Sequence, residues 1–202
     1  MLFAARWRRE FLYDSVSLPF TNGDGAKGVI DALGDPFFMP YAKAEHWEAV
    51  RLAYDDVLAM DVILPRPGTH PSELNLETVD ASSTALGQVD DLLVTLTIPP
   101  SDIKTKWDLL QPLADQEINL SQMEGIFDGA TTSQMAQQVR LIVTAKGTVG
   151  AAVTEVTVAT SSGPVVDVEL VIDRPFIMRV LDTRTGWLLF PSIVNDPTNT
   201  PG

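Results

Sequence analysis

Hydrophobic and polar positions alternate along much of the chain, which is the pattern of β-strands that bury one face. The apolar and β-branched runs are separated by glycine, proline, asparagine and aspartate, which favour turns. The pattern predicts strands at residues 2–7, 16–20, 29–41, 47–54, 58–64, 92–98, 134–143, 165–171, 176–182 and 187–194. Turn-forming residues at 22–25 and 182–186 would close two hairpins. The sequence therefore predicts one domain, residues 1–202, of the α+β class and predominantly β.

One stretch, residues 145–163, suits two different environments. Two of its glycines, Gly147 and Gly150, lie near its start and accept backbone dihedral angles that other residues avoid. If residues 148–159 form a strand, one of its faces carries no charge and consists of Thr148, Gly150, Ala152, Thr154, Val156 and Val158. The opposite face has Glu155 as its only charge. The stretch could therefore be solvated as a loop or buried as a central strand.

Composition narrows the classes of partner and site. The chain of 202 residues is 45% hydrophobic, has a formal charge of −13 and contains no cysteine. This charge argues against nucleic acid or an anionic membrane as a partner. The lack of cysteine excludes disulfides, thiolate catalysis and cysteine metal sites. No apolar run approaches the roughly 20 residues of a transmembrane helix, and charges follow the apolar residues at the N-terminus, unlike a secretory signal.

Two motifs in a fixed order resemble the serpin family of serine protease inhibitors. Gly147-Thr148, followed by Gly150, Ala151-Ala152 and Thr154, resembles the hinge of a serpin reactive-centre loop. The run Asp173-Arg174-Pro175-Phe176, inside the apolar segment 170–178, resembles the C-terminal serpin signature. Residues 2–7, with Phe11 after them, resemble the end of a central strand in the large serpin sheet. Trp7 matches the tryptophan near the point where a serpin loop enters that sheet.

The resemblance implies a partial serpin fold that covers the C-terminal half of the family. It would contain part of the large central sheet, the B and C sheets and a few short helices, without the N-terminal helical portion. A strand that starts at Met1 suggests a truncated reading frame or a fragment. Between residues 71 and 86 we expect one short helix, at about 71–77, and a second weak one, because Ser82, Ser83 and Thr84 are poor helix formers. Residues 107–113 would lead from a strand into a short helix.

The resemblance also implies a suicide mechanism and no enzymatic activity of the chain itself. A protease would attack the loop, at about residues 145–167, and form an acyl-enzyme with it. Cleavage would free the hinge, which would then enter the central sheet. The usual loop length places the cleaved bond near Thr160, Ser161 and Ser162, whereas the spacing back from Pro175 moves it about three residues further. These small residues favour an elastase-like or subtilisin-like serine protease with a small primary pocket. No cofactor is implied. The resemblance implies an extracellular location, although a cytoplasmic location stays open.

Several positions depart from the family pattern and keep an alternative open. Ala145 replaces a usual acidic residue, and Val149 replaces a usual glutamate. Pro191 lies in the last strand, where a buried residue with a backbone N–H is expected, and Ser192 replaces a glycine. The alternative is a non-inhibitory binding module, or a degenerate fragment that is cleaved as a plain substrate. We expect that the 202-residue chain alone forms no SDS-resistant complex with elastase or subtilisin.

Other candidate chemistry in the sequence is weak. His46 and His70 are the only histidines, and their spacing suggests neither a metal site nor a catalytic base, so we expect surface residues. The adjacent carboxylates at 55–56 and 90–91 point to opposite sides and indicate turns. Gly23 and Gly25 lack the context of a phosphate-binding loop. We therefore expect no metal site.

Overall fold

The computed structural model of the chain describes residues 4–54, 57–118, 132, 135–148 and 165–198. The strands are β1 (Ala5–Arg6), β2 (Tyr13–Thr21), β3 (Lys27–Lys43), β4 (Trp47–Ala53), β5 (Leu58–Pro65), β6 (Asp91–Ile98), β7 (Ser101–Asp108), β8 (Ala136–Thr144), β9 (Gly147–Thr148), β10 (Val168–Val171), β11 (Phe176–Asp182) and β12 (Leu188–Val194). A 3₁₀ turn spans Pro71–Glu73, and the α-helices are α1 (Leu76–Leu86) and α2 (Leu110–Ala114). The fold is predominantly β with short helices, as the alternating pattern predicts.

The strands form two sheets. The larger sheet has the order β10-β6-β3-β4-β5-β11-β12, and β2 pairs with β3 outside this path. The long strand β3 joins its two halves, because it pairs with β2 and β6 along its first part and with β4 at its end. The smaller sheet has the order β1-β9-β8-β7. The expected B and C sheets are thus joined through β3 into the larger observed sheet. The smaller, four-stranded sheet corresponds to the expected part of the large central sheet.

The centre of the larger sheet is buried on both faces. In β5 every residue after Leu58 is buried, and in β11 every residue before Asp182 is buried. One face packs into the main core, whose fully buried side chains include Met60, Val62, Leu96, Phe176 and Met178. The other face packs against α1 through Ala49, Ile63, Val79, Leu86 and Ile177. Burial on both faces explains why β5 is a nearly continuous apolar run.

A row of charged residues crosses this buried centre beneath α1. Asp61 lies opposite Arg51 on β4 and opposite Arg179 on β11. Arg51 donates to both carboxylate oxygens of Asp61, at 2.6 and 2.8 Å, and the Asp61 side chain is fully buried. Buried ions are tolerated when they are paired and hydrogen-bonded, and this row meets both conditions.

The helix α1 corrects the expectation that residues 82–84 would disfavour a helix. It runs through all three of them, and the preceding 3₁₀ turn is the shorter element. The hydroxyls of Ser82 and Thr84 donate to carbonyls within the helix, those of Val79 and Asp80. Arg51 donates to the carbonyl of Ser83. Tertiary contacts therefore override weak helix propensity here.

Several strand boundaries also differ from the expected ones, including the start of β2 at Tyr13 rather than residue 16. The first strand is limited to Ala5–Arg6 within the described residues, and the strand expected at 165–171 begins at Val168. The strand expected to lead into α2 near residue 107 is β7. It begins at Ser101, directly after Pro99 and Pro100, and is therefore longer than the sequence suggested.

Pro191 is exposed, which corrects the expectation that a buried residue occupies this place in the last strand. Within the described part of the chain, β12 is the edge of the larger sheet and pairs only with β11, where Arg179 lies opposite Pro191. An edge strand tolerates proline because one side of it makes no ladder hydrogen bonds, and proline there also discourages pairing with another chain.

Neither α-helix in the described part of the chain has the length and the hydropathy that crossing a membrane would require.

Candidate functional site

The predicted hinge begins inside the smaller sheet. After β8 the chain turns at Ala145 and Lys146 and returns as β9, antiparallel to β8. On its other side β9 pairs with β1, where Thr148 lies opposite Ala5 and Gly147 opposite Arg6. The hydroxyl of Thr144 closes the turn by donating to the carbonyl of Gly147 at 2.9 Å. The first two hinge residues therefore lie between two strands of the sheet that the resemblance implies they would enter.

Gly147 is required by space as well as by backbone conformation. Its φ is +139°, which side chains rarely adopt. A β-carbon at this position would overlap the carbonyl oxygen of Ala5 and would lie 2.7 Å from the α-carbon of Arg6. The sequence suggested only that Gly147 loosens the backbone. The structure shows that it permits close contact between β9 and β1.

Thr148 is held by a buried hydrogen bond to Tyr54. The two hydroxyl oxygens are 2.7 Å apart, and the exposed fractions of Thr148 and Tyr54 are 1% and 4%. Burial raises the pKa of the Tyr54 phenol, and the hydrogen bond to Thr148 acts in the opposite direction. The phenol is therefore un-ionised at neutral pH.

Trp7 connects the hinge turn to Tyr54. Its ring stacks on the Tyr54 ring with centroids 4.4 Å apart and an interplanar angle of 9°. Its indole N–H donates to the carbonyl of Thr144 at 2.9 Å, and its backbone N–H donates to the carbonyl of Lys146 at 3.2 Å. The backbone N–H of Phe11 donates to the carbonyl of Ala145 at 2.9 Å. Trp7 thus contacts the hinge turn directly, and its loop-entry role stays a prediction.

The sequence did not identify Tyr54 as a site residue. It placed Tyr54 at the end of a strand, and nothing in the alternating pattern distinguishes a buried phenol with a distant partner from a core aromatic. The partners are far apart in the chain, so only the three-dimensional structure brings them together.

Most of the predicted loop lies outside the described residues. This applies to the hinge residues Gly150, Ala151, Ala152 and Thr154, to Val149, and to the expected cleavage positions Thr160, Ser161 and Ser162. Of the hinge set, Gly147 and Thr148 are described, and both lie in β9. Their predicted roles beyond this placement stay predictions.

The residues of the predicted signature connect β10 to β11. The carbonyl of Asp173 accepts a hydrogen bond from the backbone N–H of Thr21 at 2.9 Å. Arg174 donates twice to the carbonyl of Pro65, at 3.0 and 2.8 Å, and once to the Asp173 carboxylate at 2.7 Å. Pro175 is half-buried, and Phe176 starts β11 fully buried. The signature therefore fixes the start of β11 against the end of β5.

In the described parts of the chain, no three His, Cys, Asp or Glu side chains are placed to hold a metal ion. His46 is exposed. His70 is half-buried, caps the 3₁₀ turn through Ser72 and lies 2.9 Å from the side-chain oxygen of Asn195. His70 is therefore a structural residue that links the turn to the end of β12.

Comparisons with known proteins agree on the family of the chain. The sequence model described as Serpin (serine protease inhibitor) matches residues 1–197. Iripin-2 of Ixodes ricinus is 28% identical over 158 residues, which are 73% of this chain and 39% of that protein. Probable serpin E3 of Danio rerio is 24% identical over 221 aligned residues, covering 100% of this chain and 52% of that protein.

Solved serpin structures share the fold. Thyroxine-binding globulin in complex with thyroxine superposes with a TM-score of 0.75 at 22% identity, covering 98% of this chain and 55% of the other. Serpin-12 of Manduca sexta has a TM-score of 0.75 at 18% identity, covering 96% of this chain and 54% of the other. The chain spans about half the length of the relatives that it matches. Because the family model covers nearly the whole sequence, the chain belongs to the serpin family of serine protease inhibitors.

Proposed function

We propose that this chain acts on serine endopeptidases by offering a cleavable loop and then inserting the cut loop into its smaller sheet. The observation that carries the proposal is the position of β9 between β8 and β1. The strand β9 runs back along β8, so its continuation would meet the rest of β8, from Ile142 towards Ala136. Among the described residues, β8 pairs with β7 along most of its length but with β9 only at Val143 and Thr144. This edge of β8 can accept a strand.

Insertion would be favoured by hydrogen bonding and by burial. A new central strand would form ladder hydrogen bonds with β8, and each buried apolar square ångström contributes roughly 25 cal/mol. Because Thr148 faces the core, alternation would turn Gly150, Ala152 and Thr154 to the same side. These residues are small and uncharged, so the core could accept them.

The bait residue would lie near Thr160, Ser161 and Ser162. The protease serine would form an ester with the carbonyl carbon of the bait residue, and the residues after the cut would leave with a new amino group. The acylated residue would stay attached to the hinge and move with it. We propose an extracellular protease with a small, elastase-like or subtilisin-like primary pocket as the target.

A second candidate is a non-inhibitory product, either a binding module or a plain substrate. Two observations favour it. Among the described residues, β1 pairs with β9 at two positions, so few ladder hydrogen bonds hold β9 on that side. Ala145 and Val149 also depart from the usual hinge. We therefore propose that protease trapping is weakened in the 202-residue chain even where the cut loop inserts.

One experiment separates the two candidates. The chain is cleaved with elastase or subtilisin, the cut is located by mass spectrometry, and amide exchange of residues 136–142 is compared before and after cleavage. Insertion predicts slower exchange there and greater resistance to urea after the cut. Ala152→Arg is the control, because this residue would face the core only after insertion, so a charge there should leave cleavage intact and prevent insertion.

Cleavage without a change in exchange would show a plain substrate and would refute insertion. An SDS-resistant complex with the protease would refute the proposed weakening of trapping.

A further inference from the structure

The turn between β2 and β3 contains an asparagine that is followed by a glycine, Asn22-Gly23. Such a pair can react within itself, because the backbone nitrogen of the glycine lies within reach of the asparagine carboxamide and no side chain obstructs the approach. Asn22 is half-buried and Gly23 is exposed. Among the described residues, none makes a hydrogen bond to the Asn22 carboxamide. This carboxamide can therefore rotate towards the backbone.

The backbone of the turn is held by hydrogen bonds on both sides of the pair. The N–H of Asn22 donates to the carbonyl of Ala26 at 2.8 Å, and the N–H of Gly25 donates to the carbonyl of Asn22 at 2.9 Å. The N–H of Gly23 donates out of the turn, to the carbonyl of Asn195 after β12, at 2.9 Å. The nitrogen that would attack the carboxamide is thus the one that ties the turn to the end of β12.

Asn195 is itself held in place by His70. Nε2 of His70 lies 2.9 Å from the side-chain oxygen of Asn195, and it donates because an amide oxygen can only accept. The side chain of Asn195 also packs closely on Gly23, where a β-carbon would lie 3.2 Å from the β-carbon of Asn195. The contact between Gly23 and Asn195 therefore depends on a side chain from a third segment of the chain.

We propose that Asn22 is a site of spontaneous covalent modification, and that the hydrogen bond from Gly23 to Asn195 controls how fast the modification proceeds. In this reaction the Gly23 nitrogen gives up its proton and bonds to the carboxamide carbon of Asn22, while the bond from that carbon to the amide nitrogen breaks. The amide nitrogen leaves with the proton as ammonia, and a cyclic imide remains. Water then opens the imide at either carbonyl, which yields aspartate or isoaspartate.

The fold both delays this reaction and is altered by it. The reaction is held back while Gly23 donates to Asn195, because the nitrogen must lose the proton that forms this hydrogen bond. The imide nitrogen carries no hydrogen, and isoaspartate lengthens the backbone by a methylene group, so neither can keep the hydrogen bonds of the turn. Both acidic products also add a negative charge at the cavity that Asp24 and Asp196 line, where like charges repel. Modification should therefore loosen the end of β12 from the turn.

The site is tested by incubating the full chain at mildly alkaline pH, folded and unfolded in guanidinium chloride, followed by proteolysis and mass spectrometry. The peptide that contains Asn22 should gain the mass difference between an amide and an acid, and more slowly in the folded chain. Asn195→Ala removes the acceptor of His70 and His70→Ala removes the donor, so each should raise the rate in the folded chain about 5-fold, as expected for one hydrogen bond. Thr185→Ala is the control, because it removes one hydrogen bond, from Trp187, in a different turn.

Three results would overturn the proposal. Equal rates in the folded and unfolded chain would mean that the contact with Asn195 exerts no control, and unchanged rates in both Asn195→Ala and His70→Ala would mean the same. Aspartate without isoaspartate, which stepwise N-terminal sequencing distinguishes because it stops at isoaspartate, would mean that water attacks the carboxamide directly and that Gly23 takes no part. If neither variant folds, the rates of the folded and unfolded wild type decide. Failure of loop insertion would leave this result unchanged, because the reaction does not use the loop.

Discussion

Gly147 and Arg6 approach each other so closely that the sheet has no room for a side chain between them. A β-carbon on Gly147 would lie 2.7 Å from the α-carbon of Arg6, and the φ of Gly147 is +139°. Contact and conformation therefore both require glycine at this point. The hinge of this chain is fixed by backbone packing, in addition to the hydroxyl contact one residue later.

The first prediction follows from this contact. Gly147→Ala should expel β9 from the smaller sheet, because neither Ala5 nor Arg6 can move without disturbing β1. Amide exchange at residues 147–148 should rise by more than about 10-fold, beyond the effect of losing one hydrogen bond. Gly28→Ala is the matched control in β3, where a β-carbon would meet nothing within 4 Å. Slow exchange in Gly147→Ala would contradict the packing argument.

The second prediction concerns the buried charges beneath α1. Asp61→Ala should lower the free energy of unfolding by about 3–5 kcal/mol, because Arg51 would remain buried without its carboxylate. Urea unfolding monitored by tryptophan fluorescence measures the change. The control is Asp102→Ala, which removes the partner of Arg140 in a much more exposed pair, and it should unfold close to the wild type. Equal effects of the two substitutions would show that burial is not the cause.

The third prediction concerns the arginine of the family signature. Arg174→Ala should cost about 1.5–3 kcal/mol, because a charged group donates two hydrogen bonds to the carbonyl of Pro65. Arg174→Lys should lie between alanine and the wild type, since an ammonium group cannot reproduce the planar pair of donors. Urea midpoints of the three proteins test this order. A lysine variant no more stable than the alanine variant would mean that paired donation is essential.

Much of the fold follows from the sequence because burial imposes a period on strands. The strands expected at 58–64 and 176–182 agree with β5 and β11 to within one residue, since their side chains face two cores. The apolar run that follows Pro175 likewise predicts the strand that begins at Phe176. These features depend on local pattern.

The features that the sequence did not reveal depend on distant partners. The helical state of Ser83 depends on Arg51, and the acceptability of Pro191 depends on its place at a sheet edge. The contact between Tyr54 and Thr148 joins residues of two different sheets. No local pattern encodes such contacts, so propensity alone predicted a poor helix and a misplaced proline.

The last prediction is a pH dependence that arises at Asp35. Its carboxylate is almost fully buried; Oδ2 accepts from the backbone N–H of Leu12 at 3.1 Å, while Oδ1 accepts no hydrogen bond from the described residues. The nearest guanidinium nitrogen of Arg9 is 3.7 Å away. Burial raises the pKa of Asp35 above its ordinary value of 3.8, although the Leu12 hydrogen bond and Arg9 act in the opposite direction.

A raised pKa means that the folded chain binds the proton at a pH where the unfolded chain does not. The contribution of Asp35 to stability should therefore rise as the pH falls through the folded pKa, and it should level off below the unfolded value near 3.8. Asp35→Asn keeps an acceptor for Leu12 and removes the titration. The free energy of unfolding of Asp35→Asn should exceed that of the wild type most at neutral pH, and the difference should shrink on acidification. Urea unfolding between about pH 7 and pH 4 measures this difference. If the difference in the free energy of unfolding between Asp35→Asn and the wild type grew on acidification, the attraction of Arg9 would outweigh the cost of burying the carboxylate. The sign of this pH dependence therefore decides which of the two effects dominates where Asp35 contacts the connection between β1 and β2.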